Sequence, residues 1–206
     1  MKVEAVVWDM GGILHPTPFE LAEELEAELG LPPGAFPRGP FGPEPDPDFE
    51  AMDRGEIDEP EYVGRLRARL SERGIELNPY RAIRWDGRDR PEVVDAMRRI
   101  AARYRMALLT NDATAWLGPG WHGDWYLRDL FEVVMDATEE GVRKPDPEIY
   151  RRLAGALRLA PGSCLFVDDL RVNVEGARRV GMQAYRFEVT DPRGSVERLL
   201  ASLGVP

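Results

Sequence analysis

The stretch VVWDMGGILH, residues 6–15, begins with an apolar run that ends at an aspartate and is followed closely by two glycines. Its apolar start predicts a buried strand, and Asp9 follows at the carboxyl end of that strand, just before Gly11 and Gly12. A carboxylate in a low-dielectric interior is costly unless a cation or hydrogen-bond donors stabilise it. We therefore predict a positively charged partner for Asp9 at the end of the strand.

The rest of the chain alternates between apolar runs and segments with helical spacing. We predict strands at residues 2–8, 106–110, 131–137, 164–169 and 183–187, and helices at residues 18–30, 48–73 with a break at 55–60, 91–104, 147–159 and 174–180. This alternation is typical of an α/β fold, in which a parallel sheet has helices on both faces. Residues 31–48 are rich in proline and glycine and predict a long loop, either a lid segment or a surface excursion.

Length and charge limit the classes of protein and partner. A chain of 206 residues can form one domain with an insertion or two small domains, and either a monomer or a homodimer is open. The formal net charge of −10 argues against nucleic acid or an anionic membrane as a partner. No apolar run approaches the ~20 residues of a membrane span and the start lacks a secretory signal, so we predict a cytoplasmic enzyme. Cys164 lies in an apolar run and is predicted to be a buried thiol rather than a nucleophile.

Polar residues follow several of the predicted strands and connections. In a sheet of this kind, ligands bind beyond the carboxyl ends of the strands. The residues expected at that edge are Asp9, Thr110, Asn111, Lys144, Asp168 and Asp169. Neighbouring carboxylates repel one another unless a cation lies between them, and an all-oxygen site suits Mg²⁺. A lysine and a hydroxyl group nearby suit the oxygens of a phosphate group.

Four of these stretches resemble the motifs of a known family in order and spacing. They are VVWDMGG, TN at 110–111, RKPDPEIY around Lys144, and LFVDDLRVNVEGAR at 165–178, and they resemble the haloacid dehalogenase superfamily of hydrolases with an aspartate nucleophile. The resemblance covers nearly the whole chain. It is closest to members with a small helical cap after the first strand, including the phosphatase domain of soluble epoxide hydrolases and the sugar phosphatases.

The resemblance implies a domain organisation and a reaction. It implies a Rossmann-like core at residues 1–14 and 89–206 and a helical cap at residues 15–88, with hinges near 12–16 and 85–90. It also implies a magnesium-dependent phosphatase whose substrate is a small phosphorylated metabolite. In that family the first aspartate attacks phosphorus and forms an aspartyl-phosphate intermediate, which divides one difficult displacement into two easier steps.

Site residues are carried over position by position. The resemblance implies that Asp9 is the nucleophile and that Lys144 neutralises Asp9 and the phosphoryl oxygens. Thr110, Asn111 and the neighbouring backbone amides, with Lys144, are implied to bind the phosphate group. The implied Mg²⁺ ligands are Asp9, the carbonyl of Gly11 and Asp169, while Asp168 holds a metal-bound water and Asn173 hydrogen-bonds the same loop.

Gly11 departs from the common pattern of the family. In most of its phosphatases the residue two after the nucleophile is a second aspartate, which protonates the leaving oxygen and then activates water. A positioned acid or base is worth about 10²–10⁴ in rate, so substrates whose leaving group needs no proton would suffer least. His15, at the predicted cap hinge, is either a substitute proton donor or a structural histidine.

Two alternatives to the phosphatase remain open. A dehalogenase of the same fold would use Asp9 on carbon without a metal, which leaves Asp168 and Asp169 without an evident use. A phosphate-binding module that has lost turnover would explain the missing second aspartate. The side chains of the predicted cap show no motif that names a substrate.

Overall fold

The computed structural model describes residues 2–76 and 87–206, and the chain divides into two compact units. Unit 1 comprises Met1–His15 and Asp89–Pro206, and unit 2 comprises Pro16–Arg88. The first boundary lies one residue after the end of the predicted core segment 1–14, and the second coincides with the start of segment 89–206. The function of unit 2 as a cap stays a prediction. Residues 85 and 86 of the predicted second hinge lie outside the described residues.

Unit 1 is built on a five-stranded parallel sheet. Its strands are β1 (Ala5–Trp8), β2 (Arg105–Thr110), β3 (Val133–Asp136), β4 (Cys164–Asp168) and β5 (Gln183–Arg186), in the order β3-β2-β1-β4-β5. Since β1 is central, its carboxyl end lies between those of β2 and β4. The predicted α/β fold with a parallel sheet is confirmed.

Helices connect these strands in the parts of the chain that the structure describes. They are α1 (Ala22–Glu28), α2 (Pro47–Arg54), α3 (Glu59–Glu72), α4 (Pro91–Ala101), α5 (Ala113–Leu117), α6 (Ala137–Glu140), α7 (Pro147–Ala156), α8 (Arg171–Arg179) and α9 (Pro192–Leu203). Within these ranges, none of the helices combines the length and the apolar character needed to cross a membrane.

Both faces of the sheet are covered, as the apolar strands require. Successive side chains of a strand point to opposite faces. Val6 and Trp8 pack in one hydrophobic cluster with residues of α4 and α9, whereas Ala5 and Val7 pack in a second cluster with residues of α7 and α8. The burial of both faces makes β1 a rigid support for Asp9, the residue that follows it.

Helix α9 has no counterpart among the predicted elements. Its first turn contains Pro192, the Asp191 side chain accepts a hydrogen bond from the Gly194 N–H, and Gly204 ends the helix with a φ of 65°. These are ordinary start and stop signals that the sequence carries. The prediction of residues 18–30 as one helix was too long, because α1 begins only at Ala22.

The proline-rich stretch 31–48 of unit 2 is held by a buried acid. Glu26 in α1 accepts hydrogen bonds from the Phe36 N–H at 2.9 Å and from Nη2 of Arg38 at 3.0 Å. A short 3₁₀ turn follows at Gly39–Phe41, and α2 begins at Pro47. The stretch is therefore a loop tied to a helix of its own unit, and its use as a lid stays a prediction.

Candidate active site

Three carboxylates meet at the carboxyl edge of the sheet. Asp9 follows β1 directly, and its backbone N–H donates to the carbonyl of Val167 in β4, 2.9 Å away. Asp168 ends β4, and Asp169 comes next in the chain. Because β1 and β4 are parallel neighbours, the three side chains converge, and a ligand oxygen of each lies within 4.8 Å of the others. Hard cations such as Mg²⁺ are bound by oxygen ligands arranged in this way.

A buried lysine lies among these carboxylates. Nζ of Lys144 is 2.7 Å from Oδ1 of Asp9 and 2.8 Å from Oδ2 of Asp168, and the lysine side chain is only 1% exposed. The ammonium group also lies 5.5 Å from the centroid of the Phe166 ring, within cation–π range. Burial alone would lower the pKa of Lys144, but Asp168 and Asp9 outweigh it and raise that pKa. Lys144 therefore stays protonated and compensates one negative charge.

The carboxylates carry more negative charge than Lys144 balances. Burial raises the pKa of Asp9 to about 7, although Lys144 opposes the increase and Asp168 adds to it. Burial, Asp168 and Asp9 likewise raise the pKa of Asp169 well above its ordinary value. A divalent cation between Asp9 and Asp169 would favour the ionised form of both. The all-oxygen donor set and its excess negative charge therefore fit a divalent metal ion.

Asp168 is fully buried and held by several donors. Its Oδ1 accepts from the Leu170 N–H at 2.9 Å, and Nδ2 of Asn173 lies 3.1 Å and 3.2 Å from its two oxygens. Asn173 is held in turn, because the Tyr150 hydroxyl donates to its carbonyl at 2.8 Å. Together with the Lys144 contact, these bonds fix the carboxylate of Asp168, which orients the lysine from one side.

Thr110 is the last residue of β2 and Asn111 comes next in the chain, so both lie at the predicted strand end, in different surroundings. Thr110 ends the strand and is buried. Oδ1 of Asn111 accepts the Lys144 N–H at 2.9 Å, and Nδ2 of Asn111 donates to the Lys144 carbonyl at 3.3 Å. These two bonds occupy the side-chain oxygen and one of the two side-chain N–H groups of Asn111. The predicted contact of Asn111 with the phosphate group stays a prediction.

The two glycines after Asp9 are not equivalent. Gly12 has a φ of +70°, and a Cβ built on it would lie 2.4 Å from Oδ2 of Asp169. Only glycine allows this approach of backbone and carboxylate. Gly11, by contrast, is exposed, and a Cβ on it would meet nothing within 4 Å. The backbone at position 11 thus has room for a side chain.

His15 is paired with the residue at which unit 1 resumes. Its Nδ1 lies 2.9 Å from Oδ1 of Asp89, and the Tyr126 hydroxyl donates to the other oxygen of Asp89. Burial would raise the pKa of Asp89, but the hydrogen bonds from His15 and Tyr126 lower it. In addition, the N–H of Arg90 donates to the carbonyl of Leu14 at 2.8 Å. These contacts join the two segments of unit 1 where the chain leaves for unit 2 and returns, which gives His15 a structural use.

Asp136, a buried carboxylate at the end of β3, is absent from the predicted site. Its Oδ2 accepts from the Thr114 N–H at 2.6 Å, and its Oδ1 accepts from the Thr138 N–H at 2.9 Å. Asp136 therefore caps the amino ends of both α5 and α6. It lies opposite Thr110 in the register of β2 and β3. An aspartate at the end of the apolar run VVM follows the same rule that identified Asp9, so the signal was available in the sequence.

The fold and this site define a class of protein: a Rossmann-like α/β enzyme with carboxylates and a lysine at the carboxyl edge of its sheet. The sequence profile of the haloacid dehalogenase-like hydrolases matches residues 3–181, and the chain belongs to that family. The resemblance seen in the four motifs is confirmed.

The chain is also similar to individual proteins. The chain is 30% identical over 220 residues to acyl-CoA dehydrogenase family member 10 of Mus musculus, a match that covers 98% of this chain and 19% of the mouse protein. It is 38% identical over 116 residues to phosphatase MT3486 of Mycobacterium tuberculosis, covering 56% of this chain and 52% of that protein. The chain thus spans about a fifth and about half of the length of these relatives.

Among solved structures, the fold is shared with the HAD-hydrolase YfnB from Bacillus subtilis, whose structure was determined with bound magnesium. The TM-score is 0.70 at 15% sequence identity, and the match covers 100% of both chains. At this level of identity the likeness concerns the fold.

Proposed function

We propose that this hydrolase is a magnesium-dependent phosphatase that acts on a small phosphorylated metabolite through an aspartyl-phosphate on Asp9. The observation that carries the proposal is the Lys144 ammonium group, 2.7 Å from Asp9 and 2.8 Å from Asp168, beside the third carboxylate of Asp169. The relative named a phosphatase supports the reaction, and the magnesium-bound structural neighbour supports the metal. The cytoplasmic location and the oligomeric state stay predictions from composition.

The proposed metal ligands are Asp9, Asp169 and the carbonyl of Gly11. With three ionised carboxylates and one ammonium group, the buried site carries about two excess negative charges, which a divalent cation balances. When bound, Mg²⁺ supplies positive charge that stabilises the phosphoryl oxygens. Asp168, which is held by Lys144 and Asn173, is assigned to the layer behind these ligands.

The first step is attack of an Asp9 oxygen on phosphorus. The new bond joins that oxygen to phosphorus, and the bond from phosphorus to the ester oxygen breaks. Lys144 favours the ionised form of the nucleophile and offsets the charge of the phosphoryl group, while the hydroxyl of Thr110 and the N–H of Asn111 bind its oxygens. Since Gly11 offers no proton, the leaving oxygen departs as an anion or takes its proton from solvent.

The second step is hydrolysis of the aspartyl-phosphate. Water attacks phosphorus, the bond to the Asp9 oxygen breaks, and the carboxylate is regenerated with release of inorganic phosphate. The attacking water loses its proton to solvent, because position 11 lacks the carboxylate that would accept it. This step therefore lacks a general base whatever the leaving group was, and we expect it to limit turnover.

The test is hydrolysis of an activated aryl phosphate with and without Mg²⁺. We expect activity that a chelator abolishes and Mg²⁺ restores, and that Asp9→Asn and Asp169→Ala lose. Asp95→Ala is a matched control, because Asp95 lies on the surface of α4 and pairs with Arg99. Full activity without divalent metal, with release of halide from a 2-haloacid, would favour the dehalogenase. Tight binding of inorganic phosphate without turnover would favour the binding module.

A further inference from the structure

Two loops at the site are joined through the main chain of Lys144. Asn111 both accepts from the N–H and donates to the carbonyl of this residue, at 2.9 Å and 3.3 Å. One residue after Asn111 and one residue before Lys144, Oδ2 of Asp112 lies 2.7 Å from Nη2 of Arg143. The loop after β2 and the loop before α7 are therefore paired residue by residue.

The position of Lys144 depends on this pairing because the residue lies in a loop. It follows α6 and precedes α7, so no sheet bond holds its main chain. Asn111, by contrast, comes directly after Thr110, the last residue of β2 in the sheet. On its other side, the Asn111 carbonyl accepts from the hydroxyl of Thr138 at 3.3 Å. The strand end can thus fix where the backbone of Lys144 lies.

The lysine side chain needs this support. Its ammonium group must reach Asp9 and Asp168 at once, and a displacement of about 1 Å at a catalytic group can cost about 10²-fold in rate. The paired bonds to Asn111 act at the Cα end of the side chain, whereas the two carboxylates act at the ammonium end.

We propose that Asn111 is a positioning residue: its side chain holds the main chain of Lys144 so that the ammonium group lies between Asp9 and Asp168. The effect of Asn111 on catalysis rests on the proposed function, whereas its hold on the main chain of Lys144 rests on the two hydrogen bonds.

The composition of the chain allows a direct test of the structural part. Lysine occurs in the sequence only at positions 2 and 144, so protein labelled with [¹⁵N]lysine shows two backbone amide signals, which Lys2→Arg assigns. We expect the Lys144 amide proton to exchange at least about tenfold faster in Asn111→Ala than in the wild type, since loss of one hydrogen bond is worth about this factor. In Asn111→Asp the carboxylate still accepts from this N–H, and protection should persist.

The kinetic part uses the same variants with an activated aryl phosphate. We expect kcat to fall about 10- to 100-fold in Asn111→Ala, with a smaller change in KM, and a loss in Asn111→Asp as well, because the bond to the Lys144 carbonyl is gone. Gln183→Ala is a matched control: its side-chain amide donates to the Gly162 carbonyl at 3.1 Å, at the opposite end of the sheet. Thermal unfolding verifies that each variant is folded.

The outcomes separate the two claims. The positioning role is overturned if the Lys144 amide proton exchanges at the wild-type rate in Asn111→Ala, or if its protection is lost in Asn111→Asp. Faster exchange in Asn111→Ala together with wild-type kcat and KM overturns it as well. If Asn111→Ala does not fold, Asn111→Asp decides between these results. If the wild type hydrolyses no phosphate ester, the proposed function fails, while the exchange of the Lys144 amide still decides whether Asn111 holds the lysine loop.

Discussion

Replacement of Gly11 by aspartate tests whether the missing carboxylate limits this enzyme. The substitution fits the backbone, because a Cβ at position 11 meets nothing within 4 Å and the residue is exposed. A well-placed general acid or base contributes about 10²–10⁴-fold, or about 3–5 kcal/mol of barrier. A carboxylate introduced without further adjustment should recover at most the lower end of that range, so we expect Gly11→Asp to raise kcat about 10- to 100-fold.

The wild-type time course contains the same information. If hydrolysis of the aspartyl-phosphate on Asp9 is the slow step, an activated ester releases about one equivalent of alcohol in a burst, followed by a slow steady state. Without a proton donor, the burst rate should also fall steeply as the leaving alcohol becomes more basic. In Gly11→Asp we expect a smaller burst amplitude and a weaker dependence on the leaving group. Rapid-quench measurements on a series of aryl and alkyl phosphates report both quantities.

Two neighbouring variants isolate the cause. Gly11→Asn has nearly the same shape without an ionisable group, so its kcat should stay near the wild-type value. Gly12→Asp should lose activity, because its Cβ would lie 2.4 Å from Oδ2 of Asp169 at a φ of +70°. Linear product formation from the first turnover, with no leaving-group dependence, would refute the reasoning. In that case another group supplies the proton, and His15→Ala is the next variant to measure.

Three further predictions concern stability. Lys144→Met leaves Asp9 and Asp168 buried without their cation, so the free energy of unfolding should fall by about 3–5 kcal/mol in denaturant titrations; an unchanged value would contradict the buried ion pairs. Because the pKa of Asp9 rises from 3.8 to about 7 on folding, the metal-free protein should lose stability as pH increases between these values. For the same reason Mg²⁺ should raise Tm more at about pH 8 than at about pH 5, and equal Tm increases would count against a metal on Asp9. Folding lowers the pKa of Asp89, so the ionised side chain stabilises the protein at pH values above its ordinary pKa. Asp89→Asn should therefore lower the free energy of unfolding by about 1 kcal/mol near pH 7 and by less near pH 3. A decrease independent of pH would contradict the pairing with His15.

The strand-end residues of the candidate site could be predicted from the sequence for a simple reason. Asp9, Thr110 and Asp168 each follow an apolar strand, and parallel strands bring their carboxyl ends to one edge. Apolar runs bounded by polar residues are local patterns, and their convergence follows from topology. The sheet and the convergence of the three carboxylates could therefore be predicted without any measured distance.

Contacts between loops could not be predicted in this way. Asn111 reaches Lys144 across 33 residues of sequence, and His15 pairs with Asp89 across the whole of unit 2. Neither pairing leaves a periodic pattern, because each depends on how two turns lie beside one another in space. Asp136 differs, since it ends a strand and only its double capping role required the structure.

The central claim is that Asp9 is phosphorylated during turnover, and mass spectrometry of acid-quenched enzyme tests it most directly. Because the second step is expected to be slow, the intermediate should accumulate in the steady state with an activated phosphate ester and Mg²⁺. The account predicts a phosphoryl group on the peptide that contains Asp9, in an amount that matches the burst, and its absence from Asp9→Asn. Product release without any label on that peptide, or a phosphoryl group on another residue, would contradict the account.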